Sequence, residues 1–337
     1  MRIAKENFLK NKLKLMDVKN FFFYPLIAAS LCWAFISILK VQEHQDFLKM
    51  EYPECTLKNE NRELVFFVTM IVLAIGKHPL ENSSKNLFIK IITEKRFPLN
   101  SEARRSKAQM MGERVFKVTV NIMFLGVLYK IMSGEDCDFF DTRVGGRMDH
   151  PLYFNNHPCQ KIPKFLDSFY IVKIAYHCYE LISTMMFDMK RPDFPEYMLH
   201  HFLTFALILF SYSVNYLPIG AAVMFLHDVT DLTTTLFKLV CDVTPDLIQI
   251  LAYLSMTIGW AYFRLWYFPF HVIGRIFEEI VTFNEKTFNL NLARMLTTFL
   301  VFLFMMHIFW FYLMIKGGIK RMMNKDYILV KGTANQN

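Results

Sequence analysis

No two of the six cysteines form a CxxC pair or take up a zinc-ligand spacing, which excludes a cysteine-based structural metal site. The ten histidines likewise lack the HxxxH and HxxHH clusters by which membrane di-iron hydroxylases and desaturases hold their metal. No metal and no resident cofactor is therefore expected. Basic residues outnumber acidic ones, 38 to 30, for a formal charge of +8, but they lie in connectors and at both ends. They have no interleaved aromatics and no nucleic-acid-binding motif, so membrane topology accounts for them and a nucleic-acid partner is not expected. Nor does a small-residue cleavage site follow the first apolar run, which is expected to stay as an anchor.

What the chain has in abundance is apolar length. Of its 337 residues 54% are hydrophobic, 35 are phenylalanine, and the mean hydropathy is +0.25. Apolar runs of about 20 residues recur, the length that crosses a bilayer core. An all-α, multi-pass transmembrane helical bundle of about eight spans is expected. The first four spans fall at residues 21–39, 64–76, 115–132 and 165–187. A fifth helix starts near Pro195 and runs to about 216, a tight turn at 218–220 leads into a sixth ending near 240, and two more cover 247–270 and 292–316. This divides the chain into a basic flank with the first anchor and its connector (1–61), a membrane domain (62–316) and a basic tail (317–337). The positive-inside rule puts both termini and the basic stretch 77–114 in the cytosol, and the acidic loop after the third span in the lumen. Stretch 77–114 reads as a loop, solvated or with residues 87–92 on the membrane surface; its sequon Asn82-Ser83-Ser84 would then escape glycosylation. Cys137 and Cys159 share the lumenal connector, and a loop disulfide is one pairing it allows.

Against this apolar background the ionisable groups stand out. His200 and His201 open the fifth helix, and His227, Asp228 and Asp231 occupy the middle of the sixth. An aspartate near the centre of a membrane helix costs about 2.5–3.5 kcal/mol on insertion scales, so these residues belong on a polar cavity or a buried network joining two helices. Five such groups on consecutive helices point to a functional site. Asp231 shares a face with His227 at i,i+4 and with Asp228 at i,i+3. His200 shares a stripe with Thr204, whereas His201 points about 100° away. On the fourth helix Lys173, His177 and Glu180 form another polar stripe facing the bundle interior. The arrangement suits one histidine as nucleophile or general base, and carboxylates that orient an imidazole or hold an amine. Lys190 and Arg191 lie at the cytosolic mouth of this site.

The run HHFLT, SYSVN and HDVTD resembles the Lag1 motif of ceramide synthases in the TLC (TRAM–Lag1–CLN8) superfamily. Asp188-Met189-Lys190-Arg191-Pro192-Asp193-Phe194 is similar to that family's D-x-K-R-x-D-F segment, and Phe169-Tyr170 through Glu180-Leu181 to its aromatic helix. The close match covers about 158–238; the family's E-x-x-W-R has only Glu113-Arg114 as a counterpart, and no homeobox-like region is present.

The resemblance implies a TLC-type fold in the endoplasmic reticulum membrane and N-acylation of a sphingoid base by a fatty acyl-CoA. Acyl-CoA would be a co-substrate rather than a cofactor. Besides these substrates and membrane lipid, homo- or hetero-oligomers and a small accessory subunit are the partners to expect. Carried over by position, His200, His201, Asp228 and Asp231 would be the essential residues, and Tyr212 and Asn215 match further motif positions. In such a reaction His200 would attack the thioester or act as base in direct aminolysis, and His201 or His227 would accept the amine's proton. Asp228 and Asp231 would hold a cation, and Lys190 and Arg191 would meet CoA phosphates. The rival implication is a non-catalytic TLC protein that binds lipid or membrane-protein cargo.

Overall fold

The computed structural model describes residues 2–55, 61–92, 97–144, 153–154, 156–189, 191, 193–282 and 290–323, with side chains omitted for 2–22, 280–282 and 290. Lys190 lies outside the described residues. In chain order the helices are α1 (Arg2–Glu51), α2 (Arg62–Ile91), α3 (Glu102–Met132), α4 (Leu166–Phe187), α5 (Phe194–Ser213), α6 (Leu217–Val240), α7 (Asp246–Trp260), α8 (Gly274–Thr282) and α9 (Leu290–Met323). A π-helical segment, Ala261–Ile273, joins α7 to α8, so the described residues form eight long rods and no strand. Pro269 lies inside that segment and has no amide to donate; the wider winding is where the rod absorbs it.

The rods sort into an outer and an inner set. α1 from Phe23, α2, α3 and α9 from Asn291 are long and apolar enough to cross a bilayer. α2 turns Leu64, Phe67, Val68, Ile71 and Val72 outward, and α7 does the same with Leu247, Ile250, Leu251 and Ile258. A protein that exposes ridges of Phe, Leu and Ile along whole helices has lipid as its solvent, and with four such helices it is a multi-pass membrane protein. α4, α5 and α6 are shorter, carry the ionisable residues, and are packed among the others. α5 lies against α1, α4 and α9, while α6 lies against α3, α7 and the π segment.

Several sequence expectations change here. Residues 77–114 are not a loop. α2 continues to Ile91 and α3 begins at Glu102, with Ser101 capping it by accepting from the Arg104 amide at 3.2 Å. Arg104 is buried and donates to the carbonyls of Ile89 and Phe97, both at 2.8 Å, which closes this hairpin. The density of charge in this stretch reports helices emerging from the membrane, not absence of helix. Ile92 is buried against Ala108 and Met111 rather than spread on a surface.

The α5–α6 turn also comes earlier than expected. α5 stops at Ser213, Asn215 takes a left-handed conformation (φ 60°), and Pro218 sits in the first turn of α6, where its missing amide is not needed. Finally, Cys159 pairs with Cys55, not with Cys137, which is free. The loop before α4 is thereby fastened to the segment after α1, and Asn215 joins the same assembly by donating to the Pro158 carbonyl at 2.6 Å.

Candidate active site

α5 and α6 are antiparallel neighbours, so the start of α5 and the middle of α6 come level, and a cavity lies between them and α4, α8 and α9. Its polar end is lined by Lys173 and His177 from α4, His200 and Thr204 from α5, and His227, Asp228 and Asp231 from α6. From there it runs along an apolar shaft past Leu207, Val223 and Leu300 to Phe154, Tyr216 and Ile276. Gly220 lies on this wall because a β-carbon there would collide with the hydroxyl of Tyr170, which donates to the Leu217 carbonyl at 2.9 Å.

The charges are paired across helices. Lys173 donates to both oxygens of Asp228, at 2.7 and 3.0 Å, and its ammonium lies 4.5 Å from the centroid of the Phe124 ring. Asp231 is bound by Arg264 of the π segment, whose Nε also donates to Thr230 Oγ1 at 2.6 Å and whose guanidinium stacks 4.2 Å from the Trp260 centroid. The two pairs differ in exposure. The Asp228 side chain is 7% exposed and that of Asp231 45%, so Asp231 keeps carboxylate surface on the cavity while Asp228 is used up by its lysine.

The histidines also divide. The His200 ring lies on the cavity, edge-on to Trp310 at 5.1 Å, and its Nδ1 is buried with no hydrogen-bond partner among the described residues. His201 turns away and packs edge-on against Tyr197 at 4.3 Å, off the cavity wall. His227 is engaged at both nitrogens. Nδ1 is 2.7 Å from the Val223 carbonyl, which can only accept, so Nδ1 carries the proton; Nε2 then offers its lone pair to His307 Nε2, 3.2 Å away. His227 itself therefore has no free lone pair to offer a substrate.

The remaining candidates lie outside the cavity wall. Glu180 bridges Lys77 (3.6 Å) and Lys117 (3.3 Å), and Lys117 donates to the Tyr197 hydroxyl at 3.0 Å. Arg191 stacks 4.4 Å from the Tyr197 ring centroid while bound to Asp193 at 3.0 Å. Tyr212 packs beside Tyr170, and Asn215 belongs to the turn described above. His177 does line the polar end.

Two participants were not anticipated: Arg264 and His307. Arg264 has a signal in the sequence, an arginine in the middle of an apolar run. His307 reads as one more isolated histidine, and nothing short of the helix packing reveals its neighbour.

A family model for the TLC domain (TRAM_LAG1_CLN8) matches residues 111–316. The chain belongs to the TLC-domain family. Among curated TLC-related proteins it is 26% identical to Ceramide synthase LOH2 of Arabidopsis thaliana over 207 residues, 60% of this chain and 70% of that one. It is 27% identical to ASC1-like protein 1 of Oryza sativa over 244 residues, 70% and 76% of the two chains. Ceramide synthase 4 of Bos taurus is 32% identical over 185 residues, 51% of this chain, which spans under half of that relative, 44%. The matched segment of the TLC domain begins on α3 and ends on α9, so it contains every cavity residue named above.

Proposed function

We propose that the protein is a ceramide synthase of the endoplasmic reticulum membrane, joining the acyl group of a fatty acyl-CoA to the amine of a sphingoid base. The observation that carries this reading is the cavity itself: a histidine and a half-exposed carboxylate at the polar end of a long apolar shaft. A thioester carbonyl belongs at the first and its hydrocarbon in the second. The names of the relatives support the same reaction.

The chemistry centres on His200. Its imidazole adds to the thioester carbonyl carbon, and the C–S bond breaks with its electrons on sulfur, a leaving group of pKa about 8.5. The thiolate takes the proton the imidazole gives up. The sphingoid amine, with a pKa of about 10 when free, enters as a cation and is received by Asp231. After giving one proton to water at the polar mouth it adds to the acyl carbon, the bond to imidazole breaks, and a second proton returns to the ring. Asp228 does not receive the amine, since Lys173 already occupies it; it fixes α6 against α4. His201 and His227 position neighbouring groups.

Orientation follows from the ends of the cavity. The shaft points toward the turn at Asn215 and the Cys55–Cys159 disulfide, which suits an oxidising lumen. The polar end then opens toward the cytosol, where acyl-CoA arrives and both termini lie. Lys238 on the last turn of α6 has Arg114, Lys117 and Arg191 as its cationic neighbours there, and Asp231 as its acidic one. This cluster, more than Arg191 alone, supplies charge for the CoA phosphates.

Purified protein incubated with acyl-CoA, with and without sphinganine, tests the reading by mass spectrometry of amide and protein. His200→Ala should fold and lose amide formation by roughly 10²–10⁴-fold. An acyl adduct on the wild type without sphinganine supports the covalent route. Folded wild type that forms no amide with any acyl chain length ends the proposal.

A further inference from the structure

The reaction proposed above leaves the polar end with a proton to move, and most of its groups are already engaged. Asp228 is bound by Lys173 at 2.7 and 3.0 Å, Asp231 by Arg264, and His227 has both nitrogens taken up. His201 packs against Tyr197 off the cavity wall. His200 carries the acyl group when the amine arrives. The histidine that remains is His177 of α4. It lines the same polar end and its ring is half-buried, meeting Tyr176 edge-on at 5.2 Å. Its Nδ1 is shielded and has no hydrogen-bond partner among the described residues, so Nε2 is the nitrogen turned to the cavity.

Depth puts His177 beside the amine. It stands ten residues, about 15 Å, before the end of α4 at Phe187, and Asp231 stands nine residues, about 14 Å, before the end of α6 at Val240. His200 is six residues, about 9 Å, from the start of α5 at Phe194. These three helix ends lie on the polar side, so His177 and Asp231 come level about one turn below His200. The electrostatic neighbours of His177 are Lys173, one turn away on its own helix, His200 and His201 of α5 and His227 of α6. Lys173 is answered by Asp228, so no unpaired lysine or arginine among them opposes a proton on the His177 ring.

Resting on the ceramide synthase reading, we propose that His177 is the base that takes the first proton from the sphingoid ammonium held by Asp231. The N–H bond breaks with its electron pair left on the amine nitrogen, and the proton joins the lone pair of the imidazole. The neutral amine adds to the acyl carbon on His200. The His177 imidazolium then passes its proton to water at the polar mouth, and the second proton of the amine returns to His200 as before. Lys173, on the same stripe of α4, cannot serve instead, because it is an ammonium held by both oxygens of Asp228 and has no lone pair to offer.

The test follows amide formation by full-length protein from acyl-CoA and sphinganine as pH rises from neutral toward the amine's own pKa of about 10. His177→Gln keeps a polar side chain of similar reach that accepts no proton, and at neutral pH it should lower kcat/KM for sphinganine by roughly 10²–10⁴-fold. Without the base, the reaction draws on amine that is already neutral in solution, a fraction that grows about tenfold per pH unit below that pKa. The variant should therefore climb steeply with pH and close on wild type, whose rate changes little over the same range. A smaller folded fraction lowers such a curve and leaves its shape, and where His177→Gln does not fold the same profile is read on His177→Phe. A profile parallel to that of wild type, or wild-type rates in His177→Gln at neutral pH, overturns the role of His177 and leaves the ceramide synthase reading standing. Wild type that forms no amide at any pH ends both.

Discussion

Asp228→Asn keeps the shape of the side chain and removes its charge, leaving the Lys173 ammonium, whose side chain is 2% exposed, facing a neutral amide. The lysine has nowhere to go: it lies between the carboxylate and the Phe124 ring. Removing one member of a buried ion pair typically costs about 3–5 kcal/mol, because the surviving charge is stranded, whereas replacing both members by apolar groups is often neutral. Asp228→Asn and Lys173→Met alone should each lower the melting temperature in detergent by on the order of 10 °C. Lys173→Met with Asp228→Leu should recover most of it. The assay is loss of the monodisperse size-exclusion peak after heating, run on wild type, the two single variants and the double variant. A single variant as stable as wild type, or a double variant no better than the worse single, refutes the reasoning. Amide synthesis in the double variant then reads what stability cannot: recovery of the fold without activity would place the Asp228 carboxylate in the chemistry itself.

Lys238→Ala should raise KM for acyl-CoA with little change in kcat, and the effect should shrink as salt rises, since phosphate contacts near water are screened. Reductant, or Cys55→Ser with Cys159→Ser, should lower the melting temperature. The closed loop spans 104 residues, for which the chain-entropy estimate is about 4–5 kcal/mol. His157, in the loop before α4, has its pKa pulled down to about 4, first by burial and then by His44. The folded protein keeps it neutral while the unfolded chain protonates it below about 6.5, so stability is full above that pH and is lost as pH falls toward 4. A melting curve against pH should show this fall in wild type and flatten it in His157→Phe.

The α5 and α6 site was legible because lipid makes every ionisable group expensive, so His200, His227, Asp228 and Asp231 announce themselves without any neighbours. Arg264 obeys the same logic, as an arginine in the middle of an apolar run. Which cation belongs to which carboxylate was not legible. On α6 alone Asp231 shares a face with Asp228, yet Lys173 and Arg264 arrive from helices 55 and 33 residues away in sequence and pull the two carboxylates into separate pairs. The helical extensions at 77–114 were missed for a different reason: charge density registers contact with water and says little about backbone winding. Cysteine proximity misled in the same way, since Cys137 is near Cys159 along the chain but Cys55 is near it in the fold.

The pairing pattern also narrows which groups on the cavity stay unengaged. Glu180 on α4 is balanced by Lys77 of α2 and Lys117 of α3, Asp228 by Lys173 of α4, and Asp231 by Arg264 of the π segment. Each set joins different rods, so the charges hold the inner helices together, and the two pairs on the cavity, Lys173–Asp228 and Arg264–Asp231, are each one cation to one carboxylate. His227 is engaged at both nitrogens, and His201 faces Tyr197. What is left on the cavity are His177 and His200, each with an Nδ1 that has no hydrogen-bond partner among the described residues, and an Asp231 whose exposed carboxylate surface is fixed by Arg264. A group that must gain an acyl substituent and then release it is best left unbound in the resting state, and a group that must receive a cation is best held still. In the proposed reaction the two aspartates of α6 thus divide the work, one fastening the helix and the other facing the substrate.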